Sequence, residues 1–152
     1  IVFFTEEKPS PFRGVDISNI ILELLAITQW GSLDFLIIDM PPGIGDETLD
    51  VIRYMKTSEF LVVTTPSKVA MGAVGKLLKI LIELQKPLLG VIENMTMTDS
   101  GFIEEEVKKL HVRYLGKIPF DEHLEEAIGD PNRLKKTETM TNLRAIIKRI
   151  DL

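Results

Sequence analysis

A chain of 152 residues with 45% apolar and 27% charged side chains has an ordinary globular balance and enough length for one domain with a core of its own. Its net charge of −5 and the lack of a long basic run argue against nucleic acid as the main partner, and no apolar stretch approaches the ~20 residues of a membrane span. The absence of cysteine excludes disulfides and thiolate metal sites within the chain and fits a cytoplasmic protein. Ile1 to Phe4 lacks the basic and long apolar regions of a secretory signal. A first residue that is Ile, set inside the apolar run I-V-F-F, leads to the expectation of a piece of a longer protein.

Taken in order, Ile1 to Phe4 reads as a short strand, and Glu6 to Gly14 as a loop broken by Pro9, Pro11 and Gly14. Asp16 or Ser18 can cap a helix in which Ile17, Ile21, Leu24, Leu25 and Thr28 keep the 3.6 period, and Gly31 stops it. Phe35 to Ile38 is a continuous apolar run cut off by Asp39, the pattern of a strand buried on both faces in a parallel sheet. Pro41 and Pro42 cannot continue a ladder, while Gly43 and Gly45 permit conformations and close ligand approach that other residues resist. Asp46 is the expected N-cap of a helix to about Lys56, with Glu47 and Asp50 near its positive end.

Phe60 to Thr64 is a second buried strand. Thr65-Pro66-Ser67 ends it and caps a long helix from Lys68 to about Gln85. Ala70, Val74, Leu77, Leu81 and Leu84 are expected on its inner face, with Lys76, Lys79 and Lys86 on the other side and at the end. After Pro87, Leu88 to Ile92 is a third strand with Glu93-Asn94-Met95 beyond its carboxyl end. A polar loop leads to a helix at Phe102 to Leu110, a strand at Val112 to Leu115 running into Gly116 to Asp121, and a helical turn at Glu122 to Ile128. Gly129 to Lys136 reads as a charged loop, and Thr139 or Thr141 as the cap of a last helix with Leu143, Ile146, Ile147 and Ile150 inward. Strands near 35, 60, 88 and 112 alternating with helices give an α/β fold, mainly parallel, with helices on both faces of the sheet.

Loops at the carboxyl ends of parallel strands share one rim, where open α/β sheets bind ligands. Three such loops are Asp39 to Asp46, Glu93 to Met95 and Ile118 to Asp121. Standing alone, Asp39 is equally a simple turn cap. Asn94 has the donor and acceptor groups to read a base edge, or to satisfy a turn. Asp121 can as readily cap the helical turn after it. His111 and His123 are isolated and read as ordinary surface residues.

The string D-M-P-P-G-I-G-D at 39–46 resembles the Walker B and switch II segment of Mrp-type (ApbC-like) P-loop ATPases, relatives of the partition and septum-site ATPases. The resemblance extends to Phe12-Arg13-Gly14, to T-T-P-S-K-V-A at 64–70 and to Glu93-Asn94-Met95. It implies that Asp39 holds Mg²⁺ through water and that Gly43 turns its amide to the γ-phosphate. It further implies that Asn94 reads adenine and that Pro119, Phe120 and Asp121 wrap the base. ATP and Mg²⁺ are the implied cofactors, a homodimer the implied assembly, and a client protein the implied partner. The implied role is ATP hydrolysis serving iron–sulfur cluster carrying or assembly.

Two departures qualify the match. No G-x-x-x-x-G-K-[ST] loop exists here; the nearest string, Ala70 to Leu77, has Ala70 for the first Gly, Leu77 for the Ser or Thr, and lies inside an amphipathic helix. The central P-loop strand is therefore missing from this chain. Cluster-bearing members also carry C-x-x-C after the E-N-M segment, whereas this chain has T-M-T-D-S-G-F-I and no thiolate to offer a cluster. The expected organisation is one nucleotide-binding-type domain over 1–152, a carboxyl-terminal portion inactive as an ATPase alone. Its rivals are a positioning ATPase of the partition or septum-site type, weakly suggested by Arg144, Lys148 and Arg149 on the last helix, and a non-catalytic interaction module that keeps the switch loop.

Overall fold

The computed structural model of the chain describes residues 14–98 and 100–150. It divides into two compact units, one ending at Lys56 and the other beginning at Thr57. The expected strand at Ile1 to Phe4, the prolines at 9 and 11, and Arg13 lie outside the described residues.

The first unit contains helices α1 (Gly14–Ile27) and α2 (Asp46–Tyr54), which pack on each other. Ser18 donates a hydrogen bond to the Asp50 carboxylate, tying the two. Asp16 and Ser18, expected as caps, stand inside α1, which already begins at Gly14. Gly45, in extended conformation, is the N-cap of α2, so Asp46 is its first helical residue; Asp46 and Glu47 still face the positive end of the helix. Val51 and Ile52 are buried beneath α2.

Between these helices the sequence expectation fails. Phe35 to Ile38 forms no strand, and Phe35 and Ile37 are 63% and 90% exposed. A strand buried on both faces also needs a ladder partner to satisfy its N–H and C=O groups. The run has the composition for this, but the chain lacks the P-loop segment whose strand the resemblance sets beside it.

The second unit is built on a parallel sheet of β1 (Phe60–Thr64), β2 (Leu88–Thr96) and β3 (Tyr114–Pro119), in that spatial order. Helix α3 (Lys68–Glu83) joins β1 to β2, and α4 (Phe102–Lys109) joins β2 to β3. The right-handed rule for parallel crossovers places both on one face. Ser67 caps α3 as expected, accepting from the Ala70 N–H. The buried stripe of α3 is Met71, Leu78 and Leu81; Leu84, expected inward, is exposed because the helix ends at Glu83. Gly90 sits at φ +145°, and a Cβ there would lie 2.6 Å from the Arg113 carbonyl oxygen, so this stretch of β2 accommodates only glycine.

After β3 come α5 (Leu124–Ala127), α6 (Pro131–Leu134) and α7 (Glu138–Ile147). Ile146 and Ile150 pack with Ile92, Leu115 and Ile118 in the core, with Leu89 and Leu143 at its margin. Ile147, expected inward, is 43% exposed. The segment 129–136, expected as loop, contains α6: Asp130 accepts the N–H groups of Asn132 and Arg133, and Pro131 fills the first helical turn. The cap of α7 is Thr137, two residues before the nearer expected cap, accepting from the Met140 N–H at 3.2 Å.

Candidate nucleotide site

The rim at the carboxyl ends of β2 and β3 is built by strand extension. Expected to stop at Ile92, β2 runs on through Thr96, because β3 pairs with it as far as Pro119. Asn94 stands opposite Ile118, and the Phe120 N–H donates to the Thr96 carbonyl at 3.0 Å. The Thr96 hydroxyl donates to the Ile118 carbonyl at 3.3 Å. Asn94, Pro119 and Phe120, singled out separately in the sequence, are thereby neighbours on one edge. Asn94 and Pro119 sit within the paired strands, and Phe120 follows directly after β3.

Asn94 accepts the Met95 N–H through Oδ1 at 2.9 Å, which fixes the side chain and leaves its two amide N–H donors for a ligand. Met95 adopts φ +59°, an unusual left-handed conformation for a non-glycine residue. The side chains of Met95 and Phe120 are each half exposed and give this rim an apolar border. Glu93, the neighbour of Asn94, is buried and accepts a hydrogen bond from the Tyr114 hydroxyl at 2.8 Å. The strand alternation that aims Asn94 one way sends Glu93 the other.

Asp121 is engaged by the chain itself. Its Oδ1 accepts the His123 N–H at 3.0 Å, and its Oδ2 accepts the Thr139 N–H at 3.0 Å. The Thr139 backbone bond above all holds this carboxyl below its ordinary value; desolvation opposes it, and the His123 N–H and the Thr139 hydroxyl add smaller help in the lowering direction. Sequence reading allowed for an Asp capping the adjacent helical turn. It missed the partner 18 residues away, for which no local signal exists.

In the first unit, Asp39 ends the unpaired apolar run and is exposed. Gly43 adopts φ +92° with open space where a Cβ would stand, so its requirement is conformational rather than steric. Thr48, one turn into α2, is buried, and its Oγ1 has no hydrogen-bond partner among the described residues. No group of three or more His, Cys, Asp or Glu side chains that could hold a metal occurs among the described residues. A single exposed carboxylate suits Mg²⁺, which keeps its waters and takes further oxygens from phosphates rather than from a protein cage.

A three-stranded parallel sheet, an Asp-Met-Pro-Pro-Gly-Ile-Gly-Asp loop capping a helix, and an Asn at the strand rim define a P-loop NTPase-type α/β protein. Residues 1–151 match the ParA family described as NUBPL iron-transfer P-loop NTPase, and the chain belongs to that family. It is 37% identical over 134 residues to the iron-sulfur cluster carrier protein of Pyrococcus horikoshii, a match covering 80% of this chain and 45% of that protein. It is 34% identical over 164 residues to the iron-sulfur cluster carrier protein of Methanocaldococcus jannaschii, covering 95% and 55%. The chain spans about half the length of the curated relatives it matches. Among solved structures, the cell division ATPase MinD of Pyrococcus furiosus superposes with a TM-score of 0.61 at 20% identity, covering 90% of this chain and 59% of that one, and it bears on the fold alone. No helix among the described residues is long and apolar enough to cross a membrane.

Proposed function

We propose that the whole protein carrying this chain binds and hydrolyses ATP with Mg²⁺ and serves iron–sulfur cluster carriage for a client protein, working as a cytoplasmic homodimer. The intact D-M-P-P-G-I-G-D loop carries the reading, supported by the family match and by relatives named as cluster carriers. Residues 1–152 act in it as part of one nucleotide-binding domain.

In this reading Asp39 holds the water shell of Mg²⁺, which when bound neutralises phosphate charge. Gly43, already in the left-handed region, offers its N–H to the terminal phosphate at no cost in backbone strain. Asn94 donates its amide N–H groups to ring nitrogens of adenine, and Phe120 and Pro119 cover the base. Asp121 contributes by anchoring the turn that follows them. The cluster is cargo: with no cysteine here, thiolate ligands to it lie outside these 152 residues.

The test is Mg-ATP turnover by the whole protein. Asp39→Asn is expected to lower kcat by about 100-fold or more with a smaller effect on nucleotide affinity, the pattern of a lost charge that positions Mg²⁺ against the transferring phosphate. Asn94→Ala is expected to weaken adenine nucleotides relative to guanine nucleotides. Near-normal turnover of Asp39→Asn rejects the role given to that carboxylate.

A further inference from the structure

A groove of about 390 Å³ lies between α3 and α4 in the second unit, and its lining includes none of the residues assigned to nucleotide. Four lysines line it: Lys68, Lys76 and Lys79 from α3, and Lys109 from α4. Its one acidic lining residue, Glu106, is paired with Lys109 at 2.5 Å. Lys68 stands 6.0 Å from the centre of the Phe102 ring. Lys68, Lys76 and Lys79 have no ion pair among the described residues, so their charge is uncompensated in a chain whose total is −5.

The middle of the groove is made by Gly72 and Gly75. Each lies inside a helix, where glycine weakens the structure relative to alanine. A Cβ at either position would meet nothing within 4 Å, so no crowding among the described residues calls for glycine. Their effect is to leave the helix backbone open to an approaching body. Met71 and Phe102 add apolar lining beside them.

We propose that this groove docks an acidic segment of a partner protein, with apolar side chains over Gly72 and Gly75 and carboxylates on Lys68, Lys76 and Lys79. The spacing selects this occupant. Lys68 to Lys79 spans about 16 Å of helix at 1.5 Å per residue, too long for donors converging on one small anion. A lipid surface calls for apolar side chains that project, whereas these glycines make a hollow. The matched parts are a basic rim, an apolar floor and a length of three helical turns. This docking surface is independent of the nucleotide reading and stands if that reading fails.

The experiment is fluorescence anisotropy with a fluorescein-labelled peptide of repeating Glu-Glu-Leu-Ala units, at low salt. Lys76→Glu with Lys79→Glu is expected to weaken binding about tenfold or more. Gly75→Leu, which fills the hollow without changing charge, is expected to weaken it about as much. Lys135→Glu with Lys136→Glu, the same charge change on another surface, should alter it less than about twofold. Thermal melting verifies that each variant is folded, and Lys76→Gln with Lys79→Gln replaces the reversal if that variant melts early. The proposal is overturned if the unaltered protein does not bind the peptide, if both reversals weaken binding equally, or if Gly75→Leu binds normally. It is equally overturned if inorganic phosphate or phosphatidylglycerol vesicles bind with the same lysine dependence while the peptide does not.

Discussion

The Asp121 carboxylate holds the first turn of the last helix, accepting the Thr139 N–H at 3.0 Å and the Thr139 hydroxyl at 3.3 Å. This ties the turn after β3 to α7, whose Ile146 packs in the core with Leu115 and Ile118 of β3. Asp121→Ala is therefore expected to lower stability and loosen α7. The pH dependence follows from the direction of the shift. The carboxyl is held below its ordinary value in the folded state, so its contribution is fully present above about pH 5 and is lost as pH falls through about 4 and below. Urea unfolding of the two proteins should show a gap at pH 7 that closes in acid. A gap independent of pH would mean that the side chain acts by packing and not by charge.

Two glycines make opposite predictions. At Gly90 a Cβ would lie 2.6 Å from the Arg113 carbonyl oxygen and 2.8 Å from the Leu115 Cγ, at a φ of +145°. Gly90→Ala should cost about 3 kcal/mol or more from strain and overpacking together. At Gly72 the same methyl meets nothing within 4 Å, and Gly72→Ala should stabilise by about 0.5–1 kcal/mol. Chemical denaturation of both variants checks this, and equal effects would contradict the close approach of β2 to β3 at Gly90.

Where sequence reading succeeded, short-range chemistry decided the structure. Ser67 caps α3 because a hydroxyl three residues before an N–H is a local arrangement, and Phe60–Thr64 is a strand because its own residues suit one, although Leu61 and Val63, expected buried, are exposed. The family was legible because the string D-M-P-P-G-I-G-D is distinctive. Errors fell where distant partners decide. The strand at Leu88 continues past Glu93 only because β3 lies alongside, and Phe35–Ile38 is not a strand because its expected partner is not in the sequence. One miss had a local signal: Asp130-Pro131 is an N-cap followed by a first-turn proline, and it marked α6.

Thr48 is 5% exposed, and its hydroxyl has no partner among the described residues. Replacing a buried unsatisfied hydroxyl by a methyl of the same shape removes a desolvation cost and opens no cavity. Thr48→Val is expected to leave stability unchanged or raise it by about 1 kcal/mol, read by the urea midpoint. A loss above about 1 kcal/mol would show that the hydroxyl does have a hydrogen-bond partner in solution.

The apolar run at Phe35 to Ile38 gives a prediction that depends on what surrounds it. Ile37 is 90% exposed, and Phe35, Leu36 and Ile38 also reach solvent. An unpaired run of this kind is a template for association between chains. For these 152 residues alone, Ile37→Asp should change stability by no more than about 0.5 kcal/mol, as at other exposed sites, and should reduce self-association. In a longer chain that supplies the G-x-x-x-x-G-K-[ST] segment, the resemblance makes the same run a buried strand. There an Asp would be an unpaired buried charge within the strand that ends at Asp39, and the cost should exceed about 3 kcal/mol. Sedimentation velocity reads the association, and urea unfolding of the two lengths of chain reads the stability. A small effect in both would place Ile37 at the surface of the whole protein and remove the strand from the proposed nucleotide-binding fold. A large effect in the short chain would mean that the run is already packed without the missing segment.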